Sequence, residues 1–228
     1  MSISANLDRI RNEIADACTR AHRDPATVAL MAVSKMHPAE AILEALAGGQ
    51  YLFGENRVQE WQSKTVAIAA IGLEMHLIGP LQNNKTNKAA ELFHAVDTID
   101  SFKTAERLDR AAAALNKTIP ILIEVKLSPE ETKHGVAPDD LPALADQLTS
   151  LDHVAVCGLM TVPPWSEDAE TARPYFQDLR RLRDELQRKH PSITQLSMGM
   201  TNDFRVAIEE GSTTVRIGTA IFGKRVYA

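Results

Sequence analysis

The chain has 228 residues, 44% of them hydrophobic, which is enough for one well-cored domain. Its 25 basic and 30 acidic residues are interspersed and give a formal charge of −5, so no basic stripe is present for nucleic acid or an anionic membrane. Two distant cysteines, Cys18 and Cys157, and a start without an apolar leader favour a cytoplasmic protein with no disulfide, metal site or membrane span.

The first predicted element is an amphipathic helix. Leu7, Ile10, Ile14, Ala17 and Ala21 recur at intervals of three and four residues, which places them on one apolar stripe. Apolar runs then alternate with helical stretches along the rest of the chain. The predicted strands are Val28 to Val33, Tyr51 to Phe53, Met75 to Ile78, His94 to Thr98, Ile119 to Leu127, Val154 to Met160, Thr194 to Met198 and Thr213 to Ile217.

The segments between these strands have the features of crossover helices. Pro38 is predicted to open one helix in its first turn and Gly48-Gly49 to end it. Between Pro174 and Pro191, leucines and a phenylalanine form one stripe and charged pairs occupy the other faces. Eight strands in strict alternation with helices predict a single-domain α/β protein over residues 1–228, a TIM-type (β/α)8 barrel. An open doubly wound sheet is the alternative, because periodicity alone does not show closure.

Lys35 is the first candidate at a strand end. It follows an uncharged run from Val28, and β/α barrels place their chemistry at the carboxyl ends of the strands. Burial there would disfavour the ammonium form, lower its pKa and leave an amine able to form a Schiff base with a carbonyl. An ordinary solvated or salt-bridged lysine is the alternative.

Two glycine-containing strand ends predict a phosphate site. They are Leu196-Ser197-Met198-Gly199-Met200 and Val215-Arg216-Ile217-Gly218-Thr219, after the seventh and eighth strands, where β/α barrels commonly bind phosphate. Two ordinary tight turns are the alternative. Together with Lys35, these turns predict pyridoxal 5′-phosphate (PLP), an aldehyde that carries a phosphate.

The helix after the first of these turns would add to the phosphate site. We expect Thr201 or Asn202 to cap it, so that its N–H groups face the anion. Asp203 would compete with the phosphate unless its carboxylate faces away.

Arg216 lies two residues before Gly218, and we expect its guanidinium in the barrel mouth. A pyridine nitrogen there would accept a hydrogen bond from it and stay unprotonated, because arginine keeps its proton. This would weaken the ring as an electron sink. The alternative is an ion pair inside the barrel with Glu55, Asp97 or Glu124.

Asn56 ends the second strand and is expected either near the Schiff base or as the cap of the next helix. His76 and His134 have no partners at metal-ligand spacing, so both are interpreted as structural or surface residues.

Several segments resemble one known family, the pyridoxal-phosphate homeostasis proteins, which are similar to the amino-terminal barrel of fold-type III alanine racemases. The resemblance runs nearly end to end, and several motifs in the right order are more specific than any one alone. The segments are Ala32-Val33-Ser34-Lys35, Phe53-Gly54-Glu55-Asn56-Arg57-Val58-Gln59-Glu60, His76-Leu77-Ile78-Gly79-Pro80-Leu81-Gln82, Gly158-Leu159-Met160, Leu196-Ser197-Met198-Gly199-Met200 and Val215-Arg216-Ile217-Gly218-Thr219-Ala220-Ile221-Phe222-Gly223.

This resemblance implies roles for individual residues. Lys35 would hold PLP as a Schiff base, Arg216 would face the pyridine nitrogen, and Ser197, Gly218 and Thr219 would bind the phosphate. The sequence departs from the family at Met75, where tryptophan is frequent, and at Lys126, where asparagine is usual. The full implied cofactor-binding set is Lys35, Asn56, Ser197, Met198, Arg216, Gly218 and Thr219.

The resemblance also implies a function, because members of the family bind PLP and balance vitamin B6 and amino-acid pools without an established catalytic reaction. We expect a monomer whose partners are PLP and, beyond it, amino acids or PLP-dependent apo-enzymes. Fold-type III racemases take a tyrosine base from a second domain, and this sequence ends at Ala228, just after the last predicted barrel element. We therefore expect no catalytic residue, because two-base racemisation needs a base on each face of the substrate.

Two enzyme functions are the alternatives. One is a weak PLP-dependent amino-acid racemase that uses Lys35 as its single base. The other is a Schiff-base aldolase for a phosphorylated sugar, which would need the lysine and the phosphate site but no PLP.

Overall fold

A computed structural model of the chain describes residues 2–68, 72–130 and 134–223 and shows a closed barrel of eight parallel strands. Each strand pairs with the next in chain order, and β8 closes the barrel on β1. This confirms the predicted single-domain (β/α)8 barrel and excludes an open sheet. The strands are β1 (Ala29–Val33), β2 (Leu52–Glu55), β3 (Glu74–Leu77), β4 (Ala95–Ile99), β5 (Ile119–Glu124), β6 (Val154–Met160), β7 (Gln195–Ser197) and β8 (Thr214–Ile217).

Helices surround the barrel. They are α1 (Ile3–Arg20), α2 (Ala39–Ala47), α3 (Val58–Ile68), α4 (Thr86–Leu92), α5 (Phe102–Ala114), α6 (Leu141–Leu148), α7 (Arg173–Gln187), α8 (Phe204–Glu209) and α9 (Thr219–Phe222). Among the described residues, none of these helices is both long and apolar enough to cross a membrane.

Helix α1 begins where the sequence supplies a cap. The side chain of Ser2 accepts a hydrogen bond from the backbone N–H of Ala5 at 3.2 Å and so satisfies one of the free donors of the first turn. The predicted apolar stripe is buried except at its end, where Ala21 follows the helix and Cys18 is buried instead. The helix thus packs against α2, α8 and α9 with the face that its sequence pattern predicts.

Two further helices also follow their sequence signals. Helix α2 lies between Pro38 and Gly48, although Pro38 precedes the first turn rather than standing within it. Helix α7 buries Phe176 and three leucines and carries exposed ion pairs such as Arg181 with Glu185 on its outer side.

The fifth strand is shorter than predicted. It ends at Glu124, and the next residues pair with a later loop segment: Lys126 N–H donates to the Val136 carbonyl at 2.9 Å and Val136 N–H to the Glu124 carbonyl at 2.8 Å. The apolar run to Leu127 therefore includes residues that leave the barrel wall to pair with this loop. Most of the buried apolar side chains belong to one continuous core.

Candidate functional site

The seven candidate residues lie at the carboxyl ends of four neighbouring strands. Around the closed barrel these strands follow one another in the order β7, β8, β1 and β2. Carboxyl ends of parallel strands meet on one face of a barrel, so this order gathers residues that are far apart in the chain. The candidates are Ser197 and Met198 from β7, Arg216, Gly218 and Thr219 from β8, Lys35 from β1 and Asn56 from β2.

Lys35 lies in a turn just beyond β1 and is half-buried. The register pairs Ala32 with Ile217 of β8 and Val33 with Gly54 of β2. Lys35 therefore leaves the barrel wall between the Gly218 turn on one side and the end of β2 on the other.

Asn56 directly follows β2 and is half-buried. Its backbone packs tightly on Gly79, where a Cβ atom would lie 2.2 Å from the Asn56 carbonyl oxygen. Only glycine permits this approach, so Gly79 fixes how Asn56 leaves the strand. The placement of Asn56 beside a cofactor stays a prediction.

Arg216 is buried in the barrel, with 4% of its surface exposed. Nη1 donates to the carbonyl and the hydroxyl of Ser197 at 2.6 and 2.8 Å, and Nη2 donates to the carbonyl of Thr161 at 2.8 Å. These bonds use three donors, and a guanidinium carries five, so Arg216 retains capacity for a further acceptor. Burial lowers the pKa of Arg216, whereas Asp97, Glu124 and Asp203 act in the opposite direction.

The turn after β7 is closely packed. Ser197 and Met198 are fully buried, and Met198 is part of the apolar core, so a contact with a ligand would have to come from its backbone. Gly199 has φ of +95°, and a Cβ atom there would lie 2.5 Å from the Cβ of Ala207. The turn therefore requires glycine both for its backbone conformation and for its packing on α8.

The predicted cap of the next helix is wrong. Asp203, rather than Thr201 or Asn202, precedes α8. The side chain of Asn202 donates to the Ser166 carbonyl at 2.7 Å, which ties this turn to the loop after β6. The cap shifts because the Asp203 carboxylate accepts the Met200 N–H at 2.6 Å and closes a turn before the helix begins.

Asp203 therefore holds one donor of the turn in which the phosphate site was predicted. It is 8% exposed, and burial raises its pKa, opposed by the Met200 N–H and by Arg216. Its carboxylate accepts from the turn backbone. The group for which Asp203 would compete with a phosphate is therefore the Met200 N–H.

The turn after β8 is more open. Gly218 is half-buried and Thr219, the first residue of α9, is exposed. A Cβ atom at Gly218 would lie 3.2 Å from the Val33 carbonyl oxygen, so glycine lets this turn lie against the end of β1.

A buried ionic cluster beside Lys35 was not predicted from the sequence. Lys64 of α3 is 8% exposed, and its ammonium donates to Glu55 at 2.7 Å, to Glu60 at 2.9 Å and to the Ser34 carbonyl at 3.1 Å. Glu55, one of the three acidic residues that the sequence offered as partners of Arg216, thus pairs with Lys64 instead. Lys64 stands on the buried stripe of α3 with Val58, Trp61 and Ile68, and that spacing was the signal in the sequence.

A second polar cluster lies in the barrel interior. His76 Nδ1 is 3.0 Å from Asp97 and Nε2 is 2.9 Å from Glu74. Burial acts to lower the pKa of His76, but its hydrogen bonds and charges with Asp97 and Glu74 outweigh burial and raise it to about 9. The prediction of a structural role fits this placement. No group of three or more metal-ligating side chains that could hold an ion occurs in the described part of the chain.

This arrangement fits a ligand with an aldehyde, a ring acceptor and a phosphate. An amine stands at the end of β1, a guanidinium with spare donors lies on the adjacent strand β8, and two glycine turns lie beyond β7 and β8. The hydroxyl of Ser197 accepts from Arg216 and keeps its own hydrogen for donation. The residues present are therefore compatible with PLP.

Comparison with known proteins gives a consistent result along the whole chain. The family model of the alanine racemase N-terminal domain matches residues 5–226. The chain is 43% identical over 228 residues to the pyridoxal phosphate homeostasis protein of Aquifex aeolicus strain VF5, with all of both chains covered.

Solved structures agree in fold. PipY of Synechococcus elongatus PCC7942 without PLP superposes with a TM-score of 0.89 at 41% identity, and PipY with PLP bound superposes with 0.88 at 40%. In both cases the match covers 97% of this chain and 100% of the other. An alanine racemase of Clostridium difficile 630 matches at a TM-score of 0.74 and 15% identity over 98% of this chain and 56% of its own, which shows a shared fold alone.

Proposed function

The chain belongs to the pyridoxal phosphate homeostasis protein family, and from this premise we propose that it binds PLP at the carboxyl end of its barrel. It would hold the cofactor for vitamin B6 homeostasis in the cytoplasm, as a monomer and without catalytic turnover. One observation carries the proposal: Lys35, Arg216 and the two glycine turns lie on consecutive strands although they are up to 184 positions apart between Lys35 and Thr219.

Each candidate has a role in this proposal. PLP supplies an aldehyde that an unprotonated amine can attack to form an imine, with loss of water. Lys35 supplies the amine, and its half-buried position beside the Gly218 turn supports this role. Arg216 donates a hydrogen bond to the ring nitrogen without giving up its proton. The turns after β7 and β8, with Ser197 and Thr219, bind the phosphate through N–H and hydroxyl donors.

The test is the visible absorption spectrum of the purified protein, with and without added PLP, followed by borohydride reduction and mass spectrometry. The native chain should show a visible band and a pyridoxyl adduct on Lys35, and Lys35→Ala should lose both while keeping its fold. Lys88→Ala is the matched control, because Lys88 is a surface lysine paired with Glu91 on α4. An adduct on another lysine of the native chain would refute the role of Lys35.

The same preparation separates the two alternatives. Release of D-alanine or D-serine from the L-amino acids would show a racemase. A protein that stays colourless after PLP is added, yet cleaves a phosphorylated sugar, would be an aldolase. Of the tyrosines, Tyr51 precedes β2 at the amino end of the barrel, Tyr175 lies in α7, and Tyr227 is outside the described residues. The position of Tyr51, at the end of the barrel opposite the candidate site, removes it as a second base in the proposal.

A further inference from the structure

The buried cluster around Lys64 holds both neighbours of Lys35 in the chain. Ser34, directly before Lys35, donates its hydroxyl to Glu55 at 2.7 Å and offers its carbonyl to the Lys64 ammonium at 3.1 Å. Glu55 is fully buried, so these hydrogen bonds are shielded from water. The backbone that leads into Lys35 is therefore held by a charge pair on the outer side of β2.

The residue after Lys35 is held by the same cluster. Met36 N–H donates to Glu60 at 2.5 Å, and the same Glu60 oxygen accepts from Lys64 at 2.9 Å. Met36 has a backbone φ of +63°, in the left-handed region that residues other than glycine rarely adopt unless their surroundings favour it. The Glu60 bond is an identifiable restraint on this turn.

Lys64 connects the contacts of Ser34 with those of Met36. Its three N–H donors are taken up by Glu55, Glu60 and the Ser34 carbonyl, so one ammonium connects the residue before Lys35 to the residue after it. Burial acts to raise the pKa of Glu60, but the hydrogen bonds from Lys64 and Met36 N–H outweigh it and lower that pKa. Glu60 is thus held as a carboxylate that accepts from both.

We propose that Lys64, with Glu55 and Glu60, is a positioning group that sets the direction in which the Lys35 amine leaves β1. The inference rests on the proposed function, since it concerns the reactivity of Lys35 toward an aldehyde. Lys64 does not contact the ligand in this view and does not replace Lys35 as a nucleophile, because an ammonium whose donors are all bonded has no lone pair to offer. A small change in this turn would act on imine formation more than on phosphate binding.

The experiment compares two ligands on the full-length apo-protein. PLP can react with Lys35, whereas pyridoxine 5′-phosphate carries an alcohol in place of the aldehyde and reports the other contacts alone. Glu60→Ala and Lys64→Met should slow covalent adduct formation with PLP about tenfold or more, because a misdirected nucleophile loses rate steeply. The affinity for pyridoxine 5′-phosphate should stay within about twofold, since the ring and phosphate contacts are unchanged.

Glu106→Ala is the matched control. Glu106 and Arg110 form an ion pair of the same i,i+4 spacing on the surface of α5, and its loss should leave both ligands unaffected. If Lys64→Met does not fold, Glu60→Ala decides the question alone, because Glu60 is partly exposed and its removal leaves the Glu55–Lys64 pair in place.

Two results would overturn the inference. Unchanged adduct formation in folded Glu60→Ala would show that the cluster does not direct Lys35. An equal loss of PLP and pyridoxine 5′-phosphate would show that the cluster shapes the whole pocket rather than the lysine. Failure of the proposed function looks different, because the native chain itself would then form no adduct with PLP.

Discussion

Two buried cations lie near the carboxyl end of this barrel, and their partners differ in kind. Lys64 is bonded by two carboxylates and one carbonyl, so its charge is neutralised by its own neighbours. Arg216 is bonded by two carbonyls and a hydroxyl, all of them neutral oxygens. Asp97, Glu124 and Asp203 act on Arg216 through their charge.

The difference separates a structural cation from one that is ready for a ligand. A buried charge that is paired with its counter-charges has a structural role, and removing one partner leaves the others buried without a counter-charge. A buried guanidinium held by neutral acceptors keeps its orientation and retains donors for a further acceptor. The first kind is expected to act on stability and on positioning, the second on binding.

The largest expected effect tests the structural cation. Lys64→Met should lower the free energy of unfolding by about 3–5 kcal/mol, because it leaves Glu55 buried without its counter-charge. Burial raises the pKa of Glu55 even with Lys64 and Ser34 opposing that shift. Urea denaturation measures the loss. Adding Glu55→Gln should recover part of it, and a double variant no more stable than Lys64→Met would argue against a stranded carboxylate as the cause.

The next effect concerns His76, a half-buried cation whose charge can be removed by raising the pH. Its pKa of about 9 lies above the ordinary value of 6.5, so the protonated form is favoured in the folded state. The stabilisation is fully present below pH 6.5 and is lost as pH rises through 9. From the size of the shift, at about 1.4 kcal/mol for each pKa unit, the loss is up to about 3 kcal/mol.

Unfolding measured from pH 6 to 9.5 on the native chain and on His76→Gln tests this expectation. Glutamine keeps a polar contact with Asp97 but does not titrate, so the variant should lose most of this pH dependence. If the free energy of unfolding changed with pH by the same amount in both proteins, another group would be responsible for the pH dependence.

A smaller effect tests the cation held by neutral oxygens. Arg216→Gln should weaken PLP binding by about 2 kcal/mol, in the range of a hydrogen bond from a charged donor, and should shift the visible absorption of bound PLP. Spectroscopic titration measures both. The ion-pair interpretation requires another pattern, in which the apo-protein melts at a lower temperature and the spectrum of bound PLP is unchanged.

The smallest effect is expected at the open turn after β8. Thr219→Val removes a hydroxyl from an exposed position and should weaken PLP binding by about 1 kcal/mol. Pyridoxal, which has no phosphate, should bind equally to the native chain and to Thr219→Val. Equal losses for PLP and pyridoxal at Thr219 would place the phosphate elsewhere.

At the turn after β7, Ser197→Ala should weaken PLP binding by more, about 1–3 kcal/mol, because the Ser197 hydroxyl also accepts from Arg216.

The sequence by itself determined the order and type of the barrel elements. Strand β6 has the predicted bounds, and the others differ by a few residues at their ends, because apolar runs and helical stripes are local consequences of burial on one face. The largest strand difference, beyond Glu124, arises where apolar residues pair with the loop around Val136. The pattern of the strand itself does not reveal that partner, since it lies in the loop that follows β5.

Only the tertiary structure decided which charged residues act together. Glu60 and Lys64 stand four residues apart and resemble an ordinary surface ion pair of a helix in the sequence. Lys64 shares the apolar stripe of α3, but its pairing with Glu55 and the contact of Glu60 with the turn that carries Lys35 follow from packing α3 against β2, which no spacing within α3 encodes. The partners of Arg216 were settled in the same way, because the closed barrel brings Thr161, Ser197 and Arg216 together from three strand ends.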